Sequence, residues 1–198
     1  MTYEYLAAPS GRPAWDGLLP GRPQPFFLSA GEGEHAKLFG DHFSVLLSGD
    51  ETENQFGMFV ATCPRGDTIP AHSHDGTHET FFVLEGRVRL FVELASGEKV
   101  SRLLLPGDFG FVPAGHTHAY RVEEAGRMLG ATTGGFERFF QHIGTLTDSI
   151  DPSTPPFVPS REQMGAAARD HRMTFLPEHR WTETTSEAAQ PDGGANDA

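Results

Sequence analysis

The sequence predicts an all-β fold, a sandwich or barrel of short antiparallel strands, with helices at its C-terminal end. Three observations carry that reading. The 23 Gly and 15 Pro punctuate the chain about every ten residues and separate short runs rich in Val, Phe, Leu and Thr. Arg87–Leu94 alternates: Val88, Leu90, Val92 and Leu94 share one face while Arg87, Arg89 and Glu93 share the other, the period of a half-buried strand. After Gly134-Gly135 the period changes, and Phe136, Phe139, Phe140 and Ile143 fall at i, i+3, i+4 and i+7, a helical stripe.

Taken in order, the strands are expected at Pro25–Ala30, His42–Ser48, Phe56–Cys63, Thr68–Ala71, Thr80–Leu84, Arg87–Leu94, Lys99–Leu105, Phe109–Val112, His118–Val122 and Arg127–Thr132. The breaks between them carry turn chemistry, such as Ala-Ser-Gly at 95–97, Pro-Gly-Asp at 106–108 and Pro-Ala-Gly at 113–115. A second helix is expected from Ser160, where Ser160 and Gln163 form a capping box after Pro159 and Met164, Ala167, Ala168 and His171 continue a helical spacing. Asp151-Pro-Ser-Thr-Pro-Pro reads as a stiff connector between the helices. From residue 182 onward the chain is small and polar and cannot offset its ordering entropy, so a disordered tail is expected over 182–198. The resulting division is an N-terminal extension packing on the barrel (1–40), the barrel (41–135), a C-terminal helical segment (136–181) and the tail. No tandem repeat is present.

Composition narrows the function classes. The 198 residues suffice for one domain that buries roughly 70% of the surface its unfolded chain would expose. Cys63 is alone, which excludes a disulfide scaffold and suits a small buried strand residue. The formal charge of -12 argues against nucleic acid and anionic membranes, both polyanions whose binding begins with Lys and Arg. Four of those negative charges, Glu183, Glu187, Asp192 and Asp197, lie in the tail. The first residues lack the basic start and apolar run of a signal peptide, and no stretch reaches ~18 consecutive apolar residues, so a soluble cytoplasmic protein is expected. Ten His, and 16 Phe against 3 Tyr and 2 Trp, direct attention to metal ligation and to apolar aromatic surfaces.

The informative stretch runs from Gly66 to Gly86. His72 and His74 are two apart at a strand end, so both imidazoles project from one face. Asp75-Gly-Thr reverses the chain and returns Glu79 at the start of the next strand. Further on, Pro113-Ala-Gly115 turns the chain so that His118 opens another strand. His72, His74, Glu79 and His118 together make a shell of three imidazoles and one carboxylate, which suits one divalent first-row transition metal rather than Ca²⁺ or Mg²⁺. Such a site carries net +1 and would attract an enolate or phenolate oxygen, with Glu79 placed to act as a base. Parity from Glu79 and His118 puts Phe81, Val83, Tyr120 and Val122 on the ligand face, and the same alternation adds Phe59 and Phe111 to the expected lining. An apolar slot of this kind suits a flat aromatic small molecule. Arg87 and Arg89 fall on the opposite face, which disfavours a phosphosugar. His78 and His116 are expected beside the site or on the surface, and His35, His42, His142, His171 and His179 are expected as surface or capping residues. Phe82 and Leu84, on the outer face, need a cover, and homodimerisation would supply one.

At these residues the sequence resembles the cupin superfamily. Gly66, five residues, His72-x-His74, four residues, Glu79, six residues, Gly86 is one cupin signature; Gly107, five residues, Pro113-x-Gly115, two residues, His118 is the other. The resemblance spans roughly residues 40–132 and implies a double-stranded β-helix, a jelly-roll barrel with one metal near its mouth. More narrowly, the length, the run Thr80-Phe-Phe-Val-Leu-Glu-Gly86 and the Phe-rich helix beyond the barrel look like the single-domain bacterial quercetin 2,3-dioxygenases. That likeness implies His72, His74, Glu79 and His118 as ligands of nickel, cobalt, manganese, iron or copper, with Glu79 accepting the 3-hydroxyl proton of a flavonol. It further implies that dioxygen cleaves the heterocycle to a depside and carbon monoxide. It also fits homodimerisation, which is common among cupins. Cupins include isomerases, lyases and sensing or storage modules as well, so a non-oxidative metal cupin and a non-catalytic small-molecule binder stand as alternatives.

Overall fold

The computed structural model describes residues 17–181. The tail expected over 182–198 and the first sixteen residues of the expected N-terminal extension lie outside the described residues. The described elements are β1 (Glu34–Leu38), β2 (Asp41–Leu47), α1 (Gly49–Thr52), β3 (Gly57–Cys63), β4 (Thr68–His74), β5 (Glu79–Glu93), β6 (Lys99–Leu104), β7 (Phe109–Val112), β8 (His118–Thr132), α2 (Arg138–Ile143), β9 (Thr145–Thr147), α3 (Arg161–Asp170) and β10 (Met173–Phe175). The strands join in one antiparallel sheet that runs β10-β4-β8-β3-β2-β1-β9, with β5 along the other side of β8 and bearing β6 and β7. This is the expected all-β barrel followed by helices.

Two expected strand pairs are single long strands. The runs at 80–84 and 87–94 join as β5, and those at 118–122 and 127–132 join as β8. Leu84-Glu-Gly86 and Glu123-Glu-Ala-Gly126 carry turn residues, but the two strands bulge together there, with register shifts on both sides of Glu85. Gly86 permits this with φ +79°, and a Cβ on it would lie 2.5 Å from the Ala125 carbonyl oxygen. The β5·β8 ladder bends at this point instead of ending.

Pro25–Ala30 forms no strand; the chain enters the sheet at Glu34–Leu38. That strand was hidden because Glu34, His35 and Lys37 break the apolar pattern, yet all five of its residues are buried between β2 and β9. His35 and His42 are likewise buried rather than surface residues, His35 pairing its Nδ1 with the Ser44 hydroxyl at 2.8 Å. The strands β9 and β10 and the helix α1 are three or four residues long, too short for periodicity to mark.

Phe43, Phe59, Ala61, Val83, Val122 and Met128 fill the barrel, and Phe136, Phe139, Phe140 and Ile143 close over it. The helical stripe therefore packs as anticipated, although Phe136 precedes the helix, whose N-cap is Glu137. In α2 the opposite face is also buried: Arg138 pairs with Glu34, Gln141 donates to Glu34 at 3.0 Å, and the Gly49 amide donates to Glu137 at 2.8 Å. The helix α3 begins after Ser160, whose hydroxyl accepts from the Gln163 amide at 3.1 Å. The reciprocal half of the expected capping box is replaced, because the Gln163 side chain donates to the Gly144 carbonyl at 3.3 Å and so ties α3 to the end of α2.

Candidate metal centre

The barrel brings all four expected ligands to one point. His72 and His74 occupy alternate positions at the end of β4, Glu79 opens β5 and His118 opens β8 directly across from His72 in the β4·β8 ladder. The Pro113–Gly115 turn is pinned to β4 by a hydrogen bond from the Gly115 amide to the His74 carbonyl at 3.0 Å. The four side chains are buried, and one ligand atom from each lies within 4.8 Å of the others.

The outer nitrogens explain why the inner ones converge. The Nδ1 of His72 lies 2.8 Å from the Pro70 carbonyl, that of His74 3.3 Å from the Thr77 carbonyl and that of His118 3.0 Å from the His116 carbonyl. A carbonyl oxygen only accepts, so each Nδ1 carries a proton and each Nε2 is left to point inward, where it can meet a cation. The Nε2 atoms of His74 and His118 each stand 3.1 Å from Glu79 Oε2. Burial, with His118 beside it, lowers His72 to about 3, so its imidazole is neutral. Burial alone would raise Glu79, but its contacts with His118 and His74 outweigh that and hold the carboxyl well below the usual carboxylate range. Three inward nitrogens and a buried carboxylate share this space only with a cation among them, either a proton on a nitrogen facing Glu79 or a metal ion. The donor set therefore fits one divalent transition metal ion, with borderline nitrogen and hard oxygen ligands.

The cluster borders a small, narrow apolar cavity. Phe59, Phe81 and Tyr120 line it as expected. Phe111 does not. In the β5·β7 ladder Val112 stands across from Glu79 and faces inward, which turns Phe111 outward beside Thr80, where it is 52% exposed and stacks on His78. His78 is exposed and accepts a hydrogen bond from the Ala114 amide at 3.2 Å, while His116 serves the cluster through its backbone carbonyl. Sequence reasoning assigned the Phe136–Phe140 stripe to core packing. It also walls the cavity, with Phe136 4.5 Å from the His74 ring and Phe140 stacked on Phe43 at 3.9 Å. Asp41 was missed altogether. It is fully buried and accepts a 2.7 Å hydrogen bond from the hydroxyl of Tyr120, and no sequence signal distinguishes it from a surface turn residue.

Residues 59–130, the stretch holding this cluster, match the Cupin domain family. The barrel is a cupin domain. Its relatives include the quercetin 2,3-dioxygenase of Bacillus subtilis, 32% identical over 166 residues that make up 81% of this chain and 47% of that protein. The quercetin 2,3-dioxygenase of Aspergillus japonicus is 27% identical over 122 residues, 60% of this chain and 34% of that protein. The cupin chain thus spans about half or less of the curated relatives it matches. Among solved structures, an RmlC-like cupin from Shewanella frigidimarina superposes with a TM-score of 0.50 at 18% identity, covering 60% of this chain and 98% of that one, a likeness of fold. Among the described residues no helix is long and apolar enough to cross a membrane.

Proposed function

We propose that this cupin is a metal-dependent dioxygenase that opens the heterocyclic ring of a flavonol such as quercetin, releasing a depside and carbon monoxide. The observation that carries this reading is the three-histidine, one-glutamate cluster set directly against a narrow aromatic-walled cavity. The names of the curated relatives support it. His72, His74, Glu79 and His118 would hold the ion, which when bound supplies a positive centre that favours an ionised enolic oxygen and mediates reaction with dioxygen.

The chain's own contributions follow from the geometry. Glu79, kept ionised in a buried site, is the base for the 3-hydroxyl proton. Phe81, Phe136, Phe139 and Phe140 offer apolar surface to a planar ring system and exclude water from it. The inward lining has no Lys or Arg: Arg87 and Arg89 pair with Glu124 and Glu123 on the outer face, which disfavours a phosphorylated substrate.

Anaerobic protein loaded with each candidate metal should shift the absorption band of quercetin, and admission of oxygen should then release carbon monoxide. A metal-replete protein that leaves the band in place overturns the proposal. Turnover without oxygen, or with zinc, would point instead to a non-oxidative metal cupin, and tight binding without product to a small-molecule sensor. Glu79→Gln should abolish turnover, whereas a sensor would keep its affinity. The same reading treats a flavonol-sized aromatic and dioxygen as the small-molecule partners, and the cytoplasm and a homodimer as the setting. Sedimentation of the metal-loaded protein tests the last of these.

A further inference from the structure

One wall of the cavity is built around a missing side chain. Gly130 lies in β8 directly across from Phe59 in β3, and lines the cavity together with Met128. Its φ is not in the left-handed region, so the backbone does not require glycine there. What requires it is Phe59. A Cβ on Gly130 would lie 2.8 Å from both Cε1 and Cε2 of the Phe59 ring and still closer to Cζ. The ring is lodged in the notch left by the absent side chain. On its other side it meets Phe140, 4.6 Å between ring centres, and Phe43 at 5.9 Å, and these two stack on one another at 3.9 Å and 6°. Phe59 thus has the notch behind it and the stacked pair beside it, and Gly130, Phe59, Phe43 and Phe140 all line the cavity.

We infer that Gly130, through Phe59, determines how broad a ring system the cavity admits, making the pair a specificity determinant. The substrate class rests on the ring-cleavage reading above. Filling the notch by a methyl group shifts Phe59 towards Phe140 and narrows the cavity, which acts most on ligands that carry an extra ring. Replacing Phe59 by a smaller residue removes the element that Gly130 displaces, so the two substitutions are coupled rather than additive.

The test uses the full chain loaded with metal, under anaerobic conditions, with two probes: 3-hydroxychromone and its 2-phenyl analogue 3-hydroxyflavone. Affinities are read from the absorption shift and metal content is measured on each preparation. Gly130→Ala should change the ratio of the two affinities by about tenfold or more against 3-hydroxyflavone, and Phe59→Leu added to it should restore the ratio. An unchanged ratio, or no restoration, overturns the inference. If Gly130→Ala fails to fold, Phe59→Leu alone still decides: it should favour a 2-naphthyl analogue over 3-hydroxyflavone by about fivefold or more, and no change overturns the inference. Should the wild-type protein bind neither probe, the ring-cleavage reading fails, and a crystal structure of Gly130→Ala tests the wall separately. There, displacement of the Phe59 ring towards Phe140 sustains the notch and an unmoved ring overturns it.

Discussion

Glu79 and Asp41 are carboxylates sealed inside the same barrel, 5% and 0% exposed, yet their surroundings drive their protons in opposite directions. Three imidazoles surround Glu79, and its contacts with two of them keep it ionised against the cost of burial. Asp41 has the hydroxyl of Tyr120, a thiol and a second acid, Asp67, around it. Burial raises it to about 8, with the Tyr120 hydroxyl opposing and the Asp67 charge adding to the rise. The contrast teaches that burial alone does not set a carboxyl's charge. Neighbours that can bring positive charge decide it, and only the Glu79 end of the barrel supplies them. Tyr120 spans the two environments: its ring lines the metal cavity and its hydroxyl reaches Asp41.

The largest expected effect breaks the Glu79 end. His118→Ala should weaken binding of the metal by at least about 100-fold, measured by calorimetric titration. It should also cut a gain in unfolding free energy of about 4 kcal/mol, which wild type shows at a thousandfold excess of metal over Kd, to about 1.4 kcal/mol or less. Wild-type affinity in the variant would remove His118 from the shell.

At the other end the signature is a pH slope. A carboxyl raised from 3.8 in the unfolded chain to about 8 in the fold binds a proton that the unfolded chain has already released, so its contribution is complete below pH 4 and is lost as pH rises to 8. Metal-free Asp41→Asn should therefore gain on wild type across that window, by on the order of 5 kcal/mol in chemical denaturation. A parallel pair of curves would mean that Asp41 is ionised. His72 acts with the reverse sign: lowered from 6.5 to about 3, it makes metal-free protein less stable as pH falls through that interval.

Tyr120→Phe sharpens the comparison by removing the one hydroxyl that donates to Asp41, and should cost about 1–2 kcal/mol, a loss of several degrees in Tm. A change within experimental error would show that Asp41 is satisfied by its other neighbours. The smallest effect, and a control outside both clusters, is Ser160→Ala at the start of α3, where loss of the cap should cost about 1 kcal/mol without altering metal binding.

The convergence of His72, His74, Glu79 and His118 was legible in the sequence because a coordination site would fix residue type and spacing together. Two histidines on one strand face, a turn, a carboxylate, and a Pro-x-Gly turn before the last histidine leave little else to explain them. The Asp41 end was not legible. Its partner Tyr120 lies 79 positions away in sequence, and nothing local marks an aspartate as buried. Phe111 went wrong for a related reason. Phe109-Gly-Phe-Val112 contains no polar residue to mark the outer face, so its parity is set by pairing with β5 and not by its own pattern. In β1 the polar residues point the other way: Glu34 is buried because Arg138, more than a hundred residues later, neutralises it. Strand runs with a clear apolar face were readable, whereas strands defined by distant partners were not.

The antiparallel β5·β8 ladder has a consequence for mechanics. Glu79 stands at one end of it, opposite Thr132, and His118 at the other, opposite Val92. Drawn straight, a ribbon of this length would separate the two by about 45 Å, yet their ligand atoms are 3.1 Å apart. The bulge at Gly86 folds the ribbon back until its ends meet. An ion held there is the clasp of a closed band, reinforcing ends that otherwise meet through packing and the His118–Glu79 contact, as a crosslink does between residues 39 positions apart. Loading the site would then slow the unrolling of the whole barrel, and occupancy would be recorded in resistance to pulling or proteolysis as much as in chemistry.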